Sequence, residues 1–213
     1  MRNIIIFDDF FQNPDQVRSD VLNAGFRSIP GGTYPGRMSD PFISPGIADF
    51  FSSIIGAEAR SAPNSWFGQF RVSLANDEFK QWIHVDPIAW SAIAYLNPEG
   101  TYPEGYGTAF WKHKATGWNG IPGSLGANSQ VFLNEDAASK NIKDYTEFRS
   151  KIIYGDGLDE SKWNLDLFVP GKYNRIVIFR PTLFHSHMPK FNFGDTDETG
   201  RLIQLYFFDE GRL

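Results

Sequence analysis

The amino-acid sequence predicts an α+β fold dominated by β-structure. Two capped helical patterns occupy the first sixty residues. From Trp66 onward, short apolar runs with period-two alternation recur between turn-rich segments. A composition of 41% hydrophobic and 16% aromatic residues supplies enough apolar side chain for a sizeable core. Helices first and many short strands after them suit an antiparallel β-sandwich or barrel with helices buttressing one face. Pattern alone leaves the open sandwich and the closed barrel as alternatives. At 213 residues with no shift in composition, one domain over 1–213 is expected.

Ile4–Phe7 reads as a short buried strand. Asn13-Pro14-Asp15-Gln16 then combines an N-cap residue, proline at the first helical position and Gln at the capping-box position. Val17, Val21 and Ala24 follow at helical spacing, and Gly25 ends the helix. A second helix opens at Ser44-Pro45, turns Ile47, Phe50, Phe51, Ile54 and Ile55 inward, and stops at Gly56. Between them, residues 30–41 form a Gly/Pro-rich loop carrying Arg37, a candidate substrate contact. Strands are expected at 66–74, 81–86, 90–97 and 108–113. The glycine-rich stretches 100–107 and 117–126 are candidates for an active-site rim. Asp144-Tyr145-Thr146-Glu147 is a capping box for an inserted helix through Phe148, Ile152 and Ile153, closed by Gly155. Segments 163–169 and 175–180 read as a hairpin, and 185–189 and 201–209 supply the last strands.

Composition excludes several classes. With no cysteine, neither a disulfide framework nor a thiolate metal site is possible, so any metal must be held by His, Asp or Glu. A net charge of −5 disfavours a nucleic-acid partner, because such affinity comes mainly from Lys and Arg neutralising phosphates. The N-terminal apolar run is too short for a signal peptide, and no stretch approaches the roughly 20 apolar residues of a membrane span. A cytoplasmic protein with no membrane partner is the expectation, and oligomeric state is left open.

Chemistry is concentrated in His84-Val85-Asp86 and, about a hundred residues on, Phe184-His185-Ser186-His187-Met188-Pro189 followed by Arg201. If 81–86 is a strand, Trp82, His84 and Asp86 share one face, with Ile83 and Val85 opposite. Two imidazoles and a carboxylate can hold one face of an iron(II) ion and leave the other open. The tripeptide is a weak signal by itself; a distal histidine after the apolar run Ile176–Phe179 strengthens it. His185 and His187 both qualify, since residues two apart in a strand face the same way. Arg201 shares a face with Ile203, Leu205 and Phe207. Turned inward, its guanidinium needs an anionic partner; turned outward, beside the 194–200 turn, it is solvated. Trp82, Trp90 and Trp111 are candidates for the pocket lining, although aromatic residues on apolar strands are more often ordinary core, and His113 is expected as a solvated rim residue.

Together these elements resemble the iron(II)/2-oxoglutarate-dependent dioxygenases, whose pattern is His-x-Asp, a distal His, then Arg or Lys. The opening Asp8-Asp9-Phe10 and Asn13-Pro14 is similar to that of prolyl-hydroxylase-type members. Gly107-Thr108-Ala109-Phe110-Trp111-Lys112-His113, with Asn174 to Phe179, resembles a poorly characterised bacterial and phage branch. The resemblance implies a double-stranded β-helix (a jelly-roll or cupin-like barrel) with Fe(II) on His84, Asp86 and His185. Its placement of the ligand a few residues before a proline favours His185 over His187. It further implies 2-oxoglutarate as co-substrate with its far carboxylate on Arg201, Tyr95 or Thr108 as second donor, and release of succinate and CO2. The substrate would be a small molecule or a peptide. Ile203 stands where some members carry a second carboxylate-binding serine. Phe207 stands where the nucleic-acid demethylases carry another arginine. The alternatives are a cupin-like metal- or sugar-binding protein and a degenerate oxygenase acting as a binding module. Arg201 facing inward favours the enzyme.

Overall fold

A computed structural model of the protein describes residues 3–29, 36–61, 66–78, 80–126, 129–191 and 193–211. The N-terminal part contributes β1 (Ile4–Phe7), α1 (Pro14–Ala24), β2 (Arg27–Ser28), β3 (Arg37–Pro41), α2 (Ile47–Ile55) and β4 (Glu58–Ser61). Next come β5 (Gln69–Ser73), β6 (Trp90–Tyr95), β7 (Gly107–His113), β8 (Gly123–Leu125) and β9 (Val131–Leu133). Helices α3 (Glu135–Ser139) and α4 (Tyr145–Phe148) lead to β10 (Trp163–Pro170), β11 (Ile176–Phe179), β12 (His185–Met188) and β13 (Arg201–Gly211). The fold is mainly β, with antiparallel sheets and few helices, as the sequence patterning predicts. Among the described residues no helix is long and apolar enough to cross a membrane.

Eight strands form the major sheet in the order β1-β11-β6-β13-β5-β3-β2, with β4 also pairing β13. A minor sheet runs β10-β7-β12, and β8 and β9 form a separate hairpin. Strand β13 organises the major sheet because alternation sends its side chains to two different cores. Ile203 and Leu205 meet Ile93, Tyr95 and Phe179 of the major sheet and Phe110 and Val169 of the minor one. On the opposite face Tyr206 and Phe208 pack under α2 with Ile47 and Phe51, while Leu202 joins Val21 of α1. Fully burying one such side chain contributes about 1.5–3 kcal/mol, so one face of the sheet holds the minor sheet and the other holds the two helices. A third core, with Trp82, Ile83, Val85, Phe184, Phe148, Ile152 and Ile153, lies beneath the segment that carries His84.

Local signals account for the helices. Asn13 caps α1, its side-chain oxygen accepting from the Gln16 N–H at 3.4 Å, and Pro14 opens it. Asp144 accepts from the Glu147 N–H, while Glu147 accepts from the Lys143 N–H, both at 2.8 Å.

Several expectations are corrected. β1 is a half-exposed edge strand, with Ile6 46% exposed, because it pairs only β11. Within 30–41, Arg37–Pro41 forms β3, whereas residues 30–35 lie outside those described. α2 begins at Ile47 after a left-handed Gly46, two residues later than Ser44-Pro45 suggests. Gly155 is itself helical (φ −74°, ψ −50°) and does not end the inserted helix. β10 and β11 do not form a hairpin; β10 pairs β7, and β11 lies between β1 and β6. Segment 81–86 is no regular strand; its one β-bridge among the described residues is at His84, opposite His185.

Candidate metal centre

That bridge builds the site. The His84 N–H donates to the His185 carbonyl at 3.0 Å, and the His185 N–H donates to the His84 carbonyl at 2.9 Å. The two histidines, 101 positions apart in the chain, are thus directly opposed, with ring centroids 4.3 Å apart. The Asp86 N–H is anchored on the Pro181 carbonyl at 2.8 Å. Ile83 and Val85 sink into the core below, so His84 and Asp86 are turned toward the cleft although the segment is not a strand.

The donor atoms converge. Asp86 Oδ2 lies 3.7 Å from His84 Nε2 and 3.6 Å from His185 Nε2. The ligand atoms of the three residues all lie within 4.8 Å of one another. Around one ion with donors at roughly 2.1 Å, neighbouring donors sit about 3.0–3.4 Å apart, so the two Asp86–histidine separations are within a few tenths of an ångström of that spacing. Each ring also has its other nitrogen engaged. His84 Nδ1 meets the Trp82 carbonyl and His185 Nδ1 meets the Leu183 carbonyl, both at 2.8 Å. A carbonyl can only accept, so these contacts place the proton on Nδ1 and leave the Nε2 lone pairs facing Asp86. Burial, reinforced by the neighbouring His185 ring, pushes His84 down to about 4. A neutral imidazole is the form that binds a metal.

The cleft around this cluster runs between the sheets along the inward face of β13, lined by Arg201, Ile203, Leu205 and Phe207 in succession. Arg201 opens β13 opposite Ser73 of β5, is 5% exposed and turns inward; among the described residues its Nε has no hydrogen-bond partner. An unsatisfied buried guanidinium nitrogen is costly and suits an anion that completes it. Thr108 lines the cleft, and Tyr95 stands behind it with its hydroxyl bonded to the Thr108 hydroxyl. Burial raises the Tyr95 pKa, with the Arg201 charge opposing the shift, so this hydroxyl keeps its proton. His187 also lines the cleft but is not in the donor cluster; its Nε2 faces the Lys190 carbonyl at 3.4 Å. Burial, then the Arg201 charge, hold it down at about 3.

Other candidates fall elsewhere. His113 is 1% exposed, its ring bound to the Thr116 hydroxyl and to Asp156 Oδ2 at 3.0 Å, so it is a core histidine and no solvated rim residue. Arg37 pairs with Asp197 away from the cleft. Trp90 and Trp111 are core, but Trp82 also lines the cleft, its indole N–H donating to the His187 carbonyl at 2.9 Å. Among the described residues of 100–107 and 117–126, none lines the cleft. Sequence reasoning missed Trp66, Arg71, Ser73, Gln81 and Ser186, which do. For Arg71 and Ser73 the alternation of the 66–74 run held a usable signal; Gln81 gave none.

No curated protein matches the chain. Among solved structures, HygX from Streptomyces hygroscopicus, with nickel and 2-oxoglutarate bound, is 10% identical. The match covers 98% of this chain and 83% of that one, with a TM-score of 0.50. A Pseudomonas putida prolyl-4-hydroxylase is 12% identical over 99% and 95% of the two chains, with a TM-score of 0.44. At these identities the likeness to HygX is one of fold. The profile of a family of unknown function, DUF6445, matches residues 1–208 of this sequence, and the chain belongs to that family.

Proposed function

We propose that the protein is an iron(II)- and 2-oxoglutarate-dependent dioxygenase that hydroxylates a small molecule or peptide within a single domain of double-stranded β-helix type. The observation that carries this reading is the pairing of a His84–Asp86–His185 donor cluster with an inward Arg201 whose Nε lacks a partner among the described residues. A metal-binding protein without a co-substrate has no need of the second feature.

The residues fit both groups. His84 and His185 present Nε2 lone pairs, and Asp86 adds a negative oxygen donor, a set suited to a divalent iron with open positions. When bound, the metal and 2-oxoglutarate supply the oxidising chemistry, with succinate and CO2 released. Arg201 would hold the far carboxylate of the co-substrate, and Thr108, backed by the Tyr95 hydroxyl, would supply a further donor. Trp82, Ile93, Leu205 and Phe207 keep water from the reacting face.

The test is succinate formation from 2-oxoglutarate with iron(II), oxygen and ascorbate, together with thermal unfolding. Wild type turns over 2-oxoglutarate and is stabilised by nickel(II), and further by 2-oxoglutarate. Asp86→Ala abolishes turnover and the metal-dependent rise; Arg201→Ala removes the increment from 2-oxoglutarate. A wild type that nickel and 2-oxoglutarate together leave unshifted refutes the proposal.

A further inference from the structure

The cleft holds a second cationic side chain besides Arg201. Along β13, Arg201 lies opposite Ser73, and Ile203 lies opposite Arg71 of β5, one step further along the same face. The Arg71 side chain leans away from Arg201. Its guanidinium carbon stands 4.6 Å from the centre of the Trp66 ring, and its Nε donates to Met38 Sδ at 3.4 Å. Trp66 meets Phe207, ring centres 6.1 Å apart, at the far end of the inward row of β13. The cleft therefore has two ends, Arg201 at one and Arg71 with an aromatic pair at the other. The metal ligands His84, Asp86 and His185 line the same cleft.

Gln81 is an independent observation in the same cleft. It is 4% exposed, lines the cleft, and its amide Nε2 has no hydrogen-bond partner among the described residues. A buried amide donor without an acceptor is destabilising unless a bound molecule supplies one. Beside the guanidinium of Arg201, that of Arg71 gives the same cleft a second group whose planar fork matches a carboxylate.

Resting on the dioxygenase reading, we infer that the substrate to be oxidised is an organic carboxylate with an adjoining aromatic or bulky apolar group. Its carboxylate is held by Arg71, its polar backbone by the Gln81 amide, and its apolar part by Trp66, Leu205 and Phe207. A planar fork on one guanidinium matches one carboxylate. A doubly charged phosphate is poorly matched, because this end offers one cation and Asp86 is a neighbouring anion in the cleft.

The probes are phenylacetate, indole-3-acetate, their uncharged amides and phenyl phosphate, added to the full chain already loaded with nickel(II) and 2-oxoglutarate. Thermal unfolding and calorimetric titration read binding. In wild type the carboxylates add a further rise in midpoint and the amides do not. Arg71→Gln weakens carboxylate binding roughly 10- to 100-fold, the loss expected for a charge-assisted hydrogen bond, and Arg71→Lys restores part of it. The difference between each carboxylate and its amide, taken within one protein, keeps a general loss of stability in a variant from imitating the effect. Equal binding of carboxylate and amide, no carboxylate binding, tighter binding of phenyl phosphate, or an unchanged difference in Arg71→Gln overturns the inference. The response to nickel and 2-oxoglutarate alone, recorded first, reads the dioxygenase proposal separately.

Discussion

Each imidazole of the donor cluster has one nitrogen bound to the carbonyl two residues before it, and this local contact decides which lone pair is available. Residue identity does not reveal such a tautomer; backbone conformation does. The choice between His185 and His187 has the same origin. Alternation puts both on one face of β12, but only His185 is bridged to His84. Arg201 illustrates how chemistry and position combine, since its buried Nε asks for a planar anion. Arg201→Lys should weaken 2-oxoglutarate binding by about tenfold or more, read as the ligand-dependent rise in unfolding midpoint, because an ammonium cannot copy the fork. Asn174 is another residue whose side chain and backbone act together. It has a left-handed φ of 63°, its Oδ1 accepts from the Phe11 N–H at 2.7 Å, and its Nδ2 donates to the Phe11 carbonyl at 2.9 Å. Asn174→Ala forfeits both bonds and the tolerance for that conformation, so urea titration should show a loss of about 2–4 kcal/mol.

At the level of elements, the sequence located most strands within a few residues and put His185 beside the His84 segment, but it misjudged the one hairpin it assigned. Period-two alternation says that a segment has a buried face and says nothing about which neighbour it pairs. β10 and β11 therefore read as a hairpin although they belong to different sheets. Gly107 shows what holds β10 in place. A Cβ built there would lie 2.2 Å from the Val169 carbonyl oxygen and 2.8 Å from the Gly171 nitrogen, both backbone atoms that cannot move without breaking the β7–β10 register. Gly107→Ala should cost about 2–4 kcal/mol in equilibrium unfolding. Gly155→Ala is the control: its backbone is helical and its nearest neighbour is 3.4 Å away, so its midpoint should hold or rise slightly.

Across the whole molecule, the start of the chain is tied to β11 by charge as well as by pairing. Asp8 accepts from Arg175 Nε at 2.6 Å and Nη2 at 3.1 Å, and from Lys172 Nζ at 3.0 Å. The Arg175 hydrogen bond, then that of Lys172, lower the Asp8 carboxyl from 3.8 to about 2. Its folded pKa lies below its unfolded value, so the stabilisation is complete above about pH 4 and is lost as the pH falls toward 2. Asp8→Asn should be less stable than wild type at pH 7, with the two unfolding midpoints converging between pH 4 and 2. A gap that persists at pH 2 would assign the effect to packing instead.

The candidate donors His84, Asp86 and His185, together with Arg201, and a mainly β fold could be read from the residues alone, whereas Trp66, Arg71, Ser73, Gln81 and Ser186 of the cleft were missed. The donors and Arg201 are legible because imidazole, carboxylate and guanidinium groups are rare among apolar runs, and helix caps and alternation are encoded within a few neighbouring residues. Tertiary structure decided what depends on distance across the chain: that His84 and His185 lie opposite one another, that Arg201 turns inward, and that His113 is buried. It also put Arg71 and Gln81 on the same cleft. Local patterns report a residue's own backbone and face, whereas the companions of that face are set by packing between segments a hundred residues apart.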